Sequence, residues 1–170
     1  ALCCAVLAGQ LGFVLASLGA RVAGAAPPLP RMNFGSGIPE SCRTWVVVPC
    51  LLDGPETAEA LVEKLRMCYL SNRAEHMHFV LLTDFQDAHA EVVDTDEDAW
   101  RALDAGIGAL NEQYARSGTS RFLVLHRSRI WSSSQRLWMG RERKRGKLED
   151  LNSFLVGEAP DVFTRVLGSI

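Results

Sequence analysis

The chain has 170 residues, about the length of a single domain. Its composition, 48% hydrophobic and 22% charged, is ordinary for a globular domain. The formal net charge at pH 7 is −2, so the bulk charge gives no support for a nucleic-acid partner.

An uncharged apolar run opens the chain and predicts a transmembrane helix over residues 1–21. Twenty helical residues at about 1.5 Å each span roughly 30 Å, the thickness of a bilayer core. A buried core helix and a signal peptide are the alternatives, but a signal peptide has a shorter apolar region and a basic start. Because the chain begins inside this run and without Met, we expect it to be a piece of a longer protein. Arg21, Arg31 and Arg43 follow with no acid before Glu40, which by the positive-inside rule places the C-terminal side in the cytosol.

The five cysteines are an odd number, and no pair has the spacing of a metal site. Two are adjacent near the N-terminus, and one ends an apolar run. This pattern favours reduced thiols in a cytosolic setting over a disulfide framework or a zinc site.

Residues 22–43 are rich in proline and glycine and are predicted to be a linker, because such a segment supports neither helix nor sheet. Beyond it, short runs of β-branched and apolar residues predict strands over 44–49, 77–83 and 121–126. Helical spacing of apolar residues predicts helices over 55–70, 95–114 and 147–156. Residues 44–170 are therefore predicted to form an α/β fold, a doubly wound parallel sheet with flanking helices.

Local signals set the predicted ends of these elements. Pro49 is expected to end the first strand, because proline cannot donate to the ladder. Thr95, with Asp98 three residues later, is expected to cap the second helix. Residues 127–145 are predicted to be a loop.

Ligands of such sheets bind beyond the carboxyl ends of the strands, which selects residues 49–53, 84–88 and those from 127 onward. Asp84 and Asp87 follow a buried strand, and their carboxylates suit the ring N–H or ribose hydroxyl groups of a nucleotide. The alternative is that both are turn or helix-cap residues.

The third of these places carries a concentration of positive charge. Between Arg127 and Lys147 eight basic residues are opposed by a single acid, Glu142, so the local net charge is +7. Such a field suits a diphosphate or a polyanion. At Gly146-Lys147, where the helix is predicted to begin, free backbone N–H groups and the helix dipole add to the charge. The alternative is a solvated or membrane-surface basic loop.

Other kinds of site are not indicated. A P-loop needs four residues between its glycines and Ser or Thr after Lys, whereas five separate Gly140 from Gly146 and Leu148 follows the lysine. Two tryptophans interleave the basic residues, but a nucleic-acid surface is expected to make the whole domain basic. The histidines have no metal-site spacing, and no Gly-x-Ser-x-Gly sequence is present.

Several blocks between residues 29 and 157 resemble the cyclic β-1,2-glucan synthases, in their region of glycosyltransferase family 84. The most specific is Glu142-Arg143-Lys144-Arg145-Gly146-Lys147-Leu148, with Trp138-Met139-Gly140 before it and Leu151-Asn152 after it. The weaker blocks are 29–34 with 37–39, 46–49 with Leu51-Leu52, and 81–85 with Asp87-Ala88. The apolar N-terminus is similar to the last membrane span before that region.

The resemblance implies a partial GT-A-like, Rossmann-like fold that transfers glucose from UDP-glucose, with inversion, to a growing β-glucan acceptor. It also implies a divalent metal, Mg²⁺ or Mn²⁺, in a full-length enzyme with further domains. Such an enzyme lies in the bacterial inner membrane with its α/β domain facing the cytoplasm, and nucleic acid is not among its expected partners.

The resemblance also implies roles for individual residues. Gly146-Lys147 with Leu151-Asn152 is similar to the Gly-Lys-x-x-x-Leu-Asn signature of processive family 2 glycosyltransferases, which borders the donor diphosphate. Asp84 falls where those enzymes place an acid against the uracil and ribose. The expected donor-nucleotide residues are Pro49, Asp84, Asp87, Arg127, Arg129, Lys147 and Asn152, and the expected diphosphate loop is Arg143, Lys144, Arg145 and Gly146.

The sequence also departs from the pattern of that family. Arg141 stands where an aromatic residue is expected and Ser132 where Asn is usual, which concerns the acceptor side. The Asp-x-Asp metal motif and the general base are expected beyond Ile170, so we expect no metal ligands in this chain and no activity from it alone. The competing interpretation is a non-catalytic α/β module that binds polyanions or nucleotides through its basic run.

Overall fold

The computed structural model describes residues 2–24, 33–114 and 119–169, without the side chains of Leu2 and Ala23. The chain divides into two compact units, Ala1–Asn33 and Phe34–Ile170. Most of the proline-rich part of the predicted linker, residues 25–32, lies outside the described residues.

The first unit contains one helix, α1 (Leu2–Ala23), which confirms the prediction of a single helix at the N-terminus. It carries no acid in its first turn and has Arg21 in its last turn. Its segment Cys3–Val22 is long and apolar enough to cross a membrane and is not buried in the structure. A signal sequence near an N-terminus can also meet this criterion of length and composition, so the transmembrane role stays a prediction.

The second unit begins with a short 3-10 turn at Glu40–Cys42 and is an α/β fold. Its helices are α2 (Gly54–Ser71), α3 (Asp94–Gln113) and α4 (Arg143–Leu155). Its strands are β1 (Thr44–Leu52), β2 (Met77–Phe85), β3 (Phe122–Arg127), β4 (Ile130–Ser132), β5 (Leu137–Met139) and β6 (Arg165–Leu167).

Within the described residues the main sheet has the order β1-β2-β3-β6. Strands β1, β2 and β3 are parallel, as predicted, with Thr44 opposite Met77 and Asp84 opposite Arg127. Strand β6 is short and antiparallel to β3, and the hydrophobic pattern gave no signal for it. Read from the other edge, β3-β2-β1 is the order of one half of the usual dinucleotide-binding sheet, 3-2-1-4-5-6. One half of a sheet does not identify the whole, so the GT-A likeness stays a proposal.

Two apolar clusters lie on the two faces of this sheet. Side chains of β2 alternate between them, so that Phe79 and Leu81 belong to one cluster and the intervening Val80 to the other. Helices α2 and α3 both bury their apolar stripes in the first cluster, whereas α4 contributes Leu151 to the second. The apolar residues whose spacing predicted helices α2 and α3 are thus the residues that cover one face of the sheet.

Two predicted element ends are wrong. Strand β1 does not end at Pro49 but continues to Leu52, because β1 is an edge strand of the described sheet and tolerates a missing N–H. Helix α3 begins at Asp94 rather than Thr95, and its start is capped by Asp96, whose carboxylate accepts the N–H of Val93 at 2.9 Å.

The predicted loop over residues 127–145 is also wrong in part. It contains an antiparallel hairpin, β4–β5, in which Trp131 lies opposite Trp138. Helix α4 begins at Arg143, a full turn before the predicted start at Lys147. The basic residues of the loop's end are therefore the first turn of a helix.

Candidate functional site

The parallel register brings an acid and a base together where β2 and β3 end. Asp84 lies opposite Arg127 on the neighbouring strand, and both side chains are buried. Arg127 donates from Nε to Asp84 Oδ1 and from Nη2 to Asp84 Oδ2, each at 2.8 Å. This two-pronged geometry is the strongest form of an arginine–carboxylate pair.

Asp150 of helix α4 extends this pair into a network. Its Oδ2 accepts from Arg127 Nη1 at 2.5 Å and its Oδ1 accepts from Arg141 Nη2 at 2.5 Å. Hydrogen bonds to Asp84 and Asp150 raise the pKa of Arg127 although burial alone lowers it. Arg127 is therefore held as a cation between two carboxylates, which fixes α4 against the strand ends.

Lys147 is a further charged group of the same network. It is 3% exposed, its Nζ donates to the backbone carbonyl of Cys50, and it lies 3.3 Å from Asp84 Oδ2. Burial lowers the pKa of Lys147, and the neighbouring Asp84 carboxylate opposes this effect. Because Lys147 lies one turn inside α4, its charge does not stand at the helix N-terminus as predicted. It stands instead at the ends of β1 and β2.

Two glycines allow the chain to approach this network closely. A Cβ atom on Gly140 would lie 2.1 Å from Asp84 Oδ2, and one on Gly146 would lie 2.1 Å from the backbone oxygen of Arg141. Neither distance leaves room for a methyl group, so both positions require glycine. Between them the backbone turns through Glu142 and Arg143, which adopt φ angles of 48° and 47°.

The predicted diphosphate loop forms the first turn of α4. Arg143 donates to Asp87 Oδ2 at 2.6 Å, and Arg145 donates to Glu149 Oε1 at 2.9 Å. Lys144 is exposed and Gly146 is buried. The turn itself contains no acid, but Glu142 directly precedes it and lies 3.5 Å from Arg145.

The predicted local charge of +7 is partly balanced in space by four acids outside residues 127–147. Asp84 lies in β2 and Asp87 just after it, Asp96 lies in α3, and Asp150 lies further along α4. A count along the sequence misses this compensation because the partners are up to 63 residues from the bases, as in the pair of Lys147 with Asp84. The site is a set of paired charges rather than an open basic field.

Arg129 lies outside the network around Asp84. Its guanidinium donates to both oxygens of Asp96, at 2.5 and 2.9 Å, and stacks over the ring of Phe85. Burial raises the pKa of Asp96, but hydrogen bonds from Arg129 and the Val93 N–H outweigh it and lower the pKa overall. Arg129 therefore joins the start of α3 to the ends of β2 and β3.

The remaining predicted residues are placed less centrally. Pro49 lies half-buried in β1 opposite Leu82, next to the Cys50 carbonyl that Lys147 binds. Asn152 lies on the exposed side of α4. The structure thus brings Asp84, Arg127 and Lys147 together and leaves Asn152 outside the group.

Sequence reasoning missed Asp150 and the buried pair of Thr83 and His126. Thr83 Oγ1 lies 2.8 Å from His126 Nδ1, and His126 Nε2 is buried without a hydrogen-bond partner among the described residues. Burial, reinforced by the charge of Arg165, lowers the pKa of His126 to about 3. A polar residue within a buried strand is the sequence signal that was available for both members of the pair.

Within the described ranges no group of three or more His, Cys, Asp and Glu side chains could hold a metal ion. The two acids of the charge network, Asp84 and Asp150, both pair with Arg127, and Asp84 also contacts Lys147. These residues do not fit a divalent metal, and the metal expected for the longer enzyme stays a prediction.

No protein-family model matches the chain. The cyclic beta-(1,2)-glucan synthase NdvB of Rhizobium meliloti (strain 1021) is 41% identical to it over 131 residues. The match covers 77% of this chain and 5% of the relative, so the chain spans about a twentieth of the length of the curated relative it matches. This match confirms the resemblance drawn from the sequence: the chain corresponds to a segment of a cyclic β-1,2-glucan synthase.

Proposed function

We propose that this chain is the donor-binding part of a membrane-attached, inverting glycosyltransferase that transfers glucose from UDP-glucose to a growing β-1,2-glucan. The observation that carries the proposal is the 41% identity, over 77% of the chain, to a protein named as a cyclic glucan synthase. That relationship supports the class of reaction, and the strand ends support the position proposed for the site.

The geometry supports a nucleotide at the carboxyl edge of the parallel sheet. The charge network around Asp84 lies at that edge, where parallel sheets bind their ligands. The first turn of α4 offers backbone N–H groups and the positive end of a helix dipole, a combination that suits a phosphate. In the proposal the donor diphosphate binds at this turn, with Lys147 supplying positive charge beneath it, and the buried Asp84 acts by holding Arg127 and Lys147 in place.

In the proposal the remaining machinery lies elsewhere in the full-length protein. Helix α1 anchors the chain in the inner membrane, and the arginines after it keep the α/β unit in the cytoplasm. The metal ligands and the general base belong to parts of the synthase outside this chain. A bound Mg²⁺ or Mn²⁺ would supply charge neutralisation for the departing diphosphate.

The second interpretation, a surface for polyanions, is less well supported by the ion pairs. Arg141 and Arg143 each contact a carboxylate, from Asp150 and Asp87 respectively, and Arg145 contacts Glu149. A cation that already faces a carboxylate contributes less to a polyanion surface than an unpaired one. Lys144 remains as an exposed base of this turn.

Calorimetric titration of the chain in lipid nanodiscs separates the two interpretations. The ligands are UDP, UDP-glucose and heparin, each at low and at moderate salt. We expect both nucleotides to bind and to keep most of their affinity at moderate salt, since part of the site is buried. Equal binding of heparin and UDP-glucose, both lost at moderate salt, would support the polyanion surface instead.

A further inference from the structure

We propose that the cleft between the β4–β5 hairpin and the start of α4 binds the sugar rings of a neutral β-glucan chain. The proposal rests on the proposed function for the identity of its ligand. The cleft has a volume of about 600 Å³, within the range of small-ligand sites. Its walls are residues 130–135 of the hairpin and residues 139–143 of the turn into α4.

Trp131 gives this cleft an aromatic wall. Half of its surface is exposed, although it lies on a strand and lines a concave site. The face of an indole ring carries a negative electrostatic potential, which attracts the weakly positive C–H groups on the face of a pyranose ring. An exposed tryptophan in a cleft of this size therefore favours contact with the face of a sugar ring.

The orientation of Trp131 is held by its neighbours. Trp138 lies directly opposite on the hairpin and contacts it edge-on, with ring centroids 5.9 Å apart. The Trp138 backbone is tied in turn to Ala88, through N–H···O bonds of 2.8 and 2.9 Å in the two directions. Because Ala88 follows the end of β2, the aromatic wall is fixed relative to the strand ends and the charge network.

The polar groups of the cleft suit the hydroxyl groups of a sugar. Ser132, Ser133, Ser134 and Gln135 line one side of it. Ser132 Oγ and Ser134 Oγ lie 3.2 Å apart and are exposed. Hydroxyl and amide groups both donate and accept, as sugar hydroxyls do, so each can pair with a sugar hydroxyl in either direction.

The charges of the cleft favour a neutral ligand. Of the two arginines in its wall, Arg141 binds Asp150 at 2.5 Å and Arg143 binds Asp87 at 2.6 Å. Glu142, between them, adds a negative charge. With these two arginines already paired, the hairpin side of the turn has little net attraction for an anion, and it suits a neutral ligand beside the donor diphosphate of the proposed function.

Binding of β-1,2-linked glucose oligomers to the chain in lipid nanodiscs tests the assignment. Saturation-transfer NMR and tryptophan fluorescence follow the titration, with α-1,4-linked glucose oligomers and heparin as comparison ligands. We expect the β-1,2 oligomers to bind, Trp131→Ala to weaken them roughly tenfold or more, and Trp131→Phe to recover part of the loss. Phe34→Ala, which removes an exposed aromatic ring outside the cleft, is expected to have no effect.

The outcomes separate this inference from the proposed function. Weakened oligomer binding by Trp131→Ala, with UDP-glucose binding unchanged, supports a glucan subsite. Undetectable binding of the β-1,2 oligomers, or equal affinity in Trp131→Ala, overturns it. If Trp131→Ala loses UDP-glucose binding but keeps oligomer binding, the indole ring contacts the donor, and the glucan-chain assignment is overturned. Oligomer binding in a chain that binds no UDP-glucose would keep the subsite and contradict the donor-site proposal.

Discussion

Arg127 is the residue on which the buried charge network depends. Its guanidinium binds Asp84 and Asp150, and all three side chains are largely removed from water. Taking charges out of water is costly, and the cost is offset only while each charge keeps its partners. Loss of Arg127 would leave two carboxylates near each other with Lys147 as the remaining buried cation.

We expect Arg127→Met to lower the free energy of unfolding by about 3–5 kcal/mol, because methionine fills similar space but balances neither carboxylate. Urea unfolding followed by tryptophan fluorescence measures this. Arg101→Met is the matched control, since Arg101 pairs with Asp98 on the surface and its side chain is 70% exposed. Similar losses in the two variants would contradict a network that is held together by Arg127.

The Thr83–His126 pair gives the fold a pH dependence. The pKa of His126 is lowered from 6.5 to about 3, chiefly by burial. Between these values the unfolded chain binds a proton that the folded chain does not, so this contribution to stability is complete above pH 6.5 and falls as the pH falls. The slope from this group is about 1.4 kcal/mol per pH unit at most.

His126→Gln is therefore expected to flatten the decline of unfolding free energy between pH 6.5 and 4. The measurement is the urea midpoint across this range, compared with wild type. His89→Gln replaces an exposed histidine and should leave the slope as it is in wild type. A His126→Gln slope equal to that of wild type would show that His126 is not buried as a neutral ring.

At the scale of single residues the sequence indicates Asp84, Arg127 and Lys147 as site residues but not their partners. The sequence predicts Asp84 just after a buried strand, and the structure has it as the last residue but one of β2. That Arg127 stands opposite Asp84 depends on the register of two parallel strands, which no local pattern determines. Asp150 was missed because an acid in a charged helix is usually solvated, and its burial depends on how α4 packs.

At the scale of elements, the start of α4 depends on Gly146. The helix passes the turn at Arg141 so closely that a Cβ on Gly146 would meet the Arg141 backbone oxygen at 2.1 Å. A backbone atom cannot move aside as a flexible side chain can. The first turn of α4, with the predicted diphosphate loop, keeps its position only with glycine there.

Gly146→Ala is accordingly expected to destabilise the chain by about 1–3 kcal/mol, on the scale of overpacking. Gly108→Ala, in the exposed interior of α3 with nothing within 4 Å, should stabilise it by up to about 1 kcal/mol through helix propensity. Thermal unfolding of both variants measures these opposite changes in stability. A gain in both would mean that Gly146 has no close neighbour.

Long periodic elements were predictable and short ones were not. Strands β1 to β3 and helices α2 and α3 were each found within a few residues, because each carries an apolar run or stripe. The three-residue strands β4, β5 and β6 are too short to carry a period. The start of α4 was placed late because glycine and a basic run are typical of a loop, although here the glycine serves a close approach.

At the scale of the whole molecule, the alternation of strands and helices was enough to predict the parallel α/β sheet. The order of strands was not predictable, since it depends on which edge each helix crosses toward. The antiparallel β6 and the sequential order β1-β2-β3 are outcomes of packing.

Helix α1 is expected to hold the chain in a membrane. After expression in bacteria the chain should stay in the membrane pellet through an alkaline carbonate wash. Leu11→Arg with Leu15→Arg, each costing roughly 2.5–3.5 kcal/mol in a bilayer, should move it to the supernatant. Val92→Arg with Val156→Arg changes two exposed valines of the α/β unit and should leave it in the pellet. Release of the unaltered chain by the wash would contradict the anchor.

Glucose transfer from labelled UDP-glucose, by the longer synthase carrying Lys147→Ala, tests the donor-site account most directly. The departing UDP gains negative charge in the transition state, so a fixed cation stabilises that state more than the ground state. With folded protein matched between membranes, we expect turnover to fall roughly a hundredfold or more. Lys147→Arg should recover part of it, and Arg136→Ala, an exposed residue of the hairpin turn, should change it little. Near-normal transfer by folded Lys147→Ala would contradict the placement of the donor diphosphate beside Lys147.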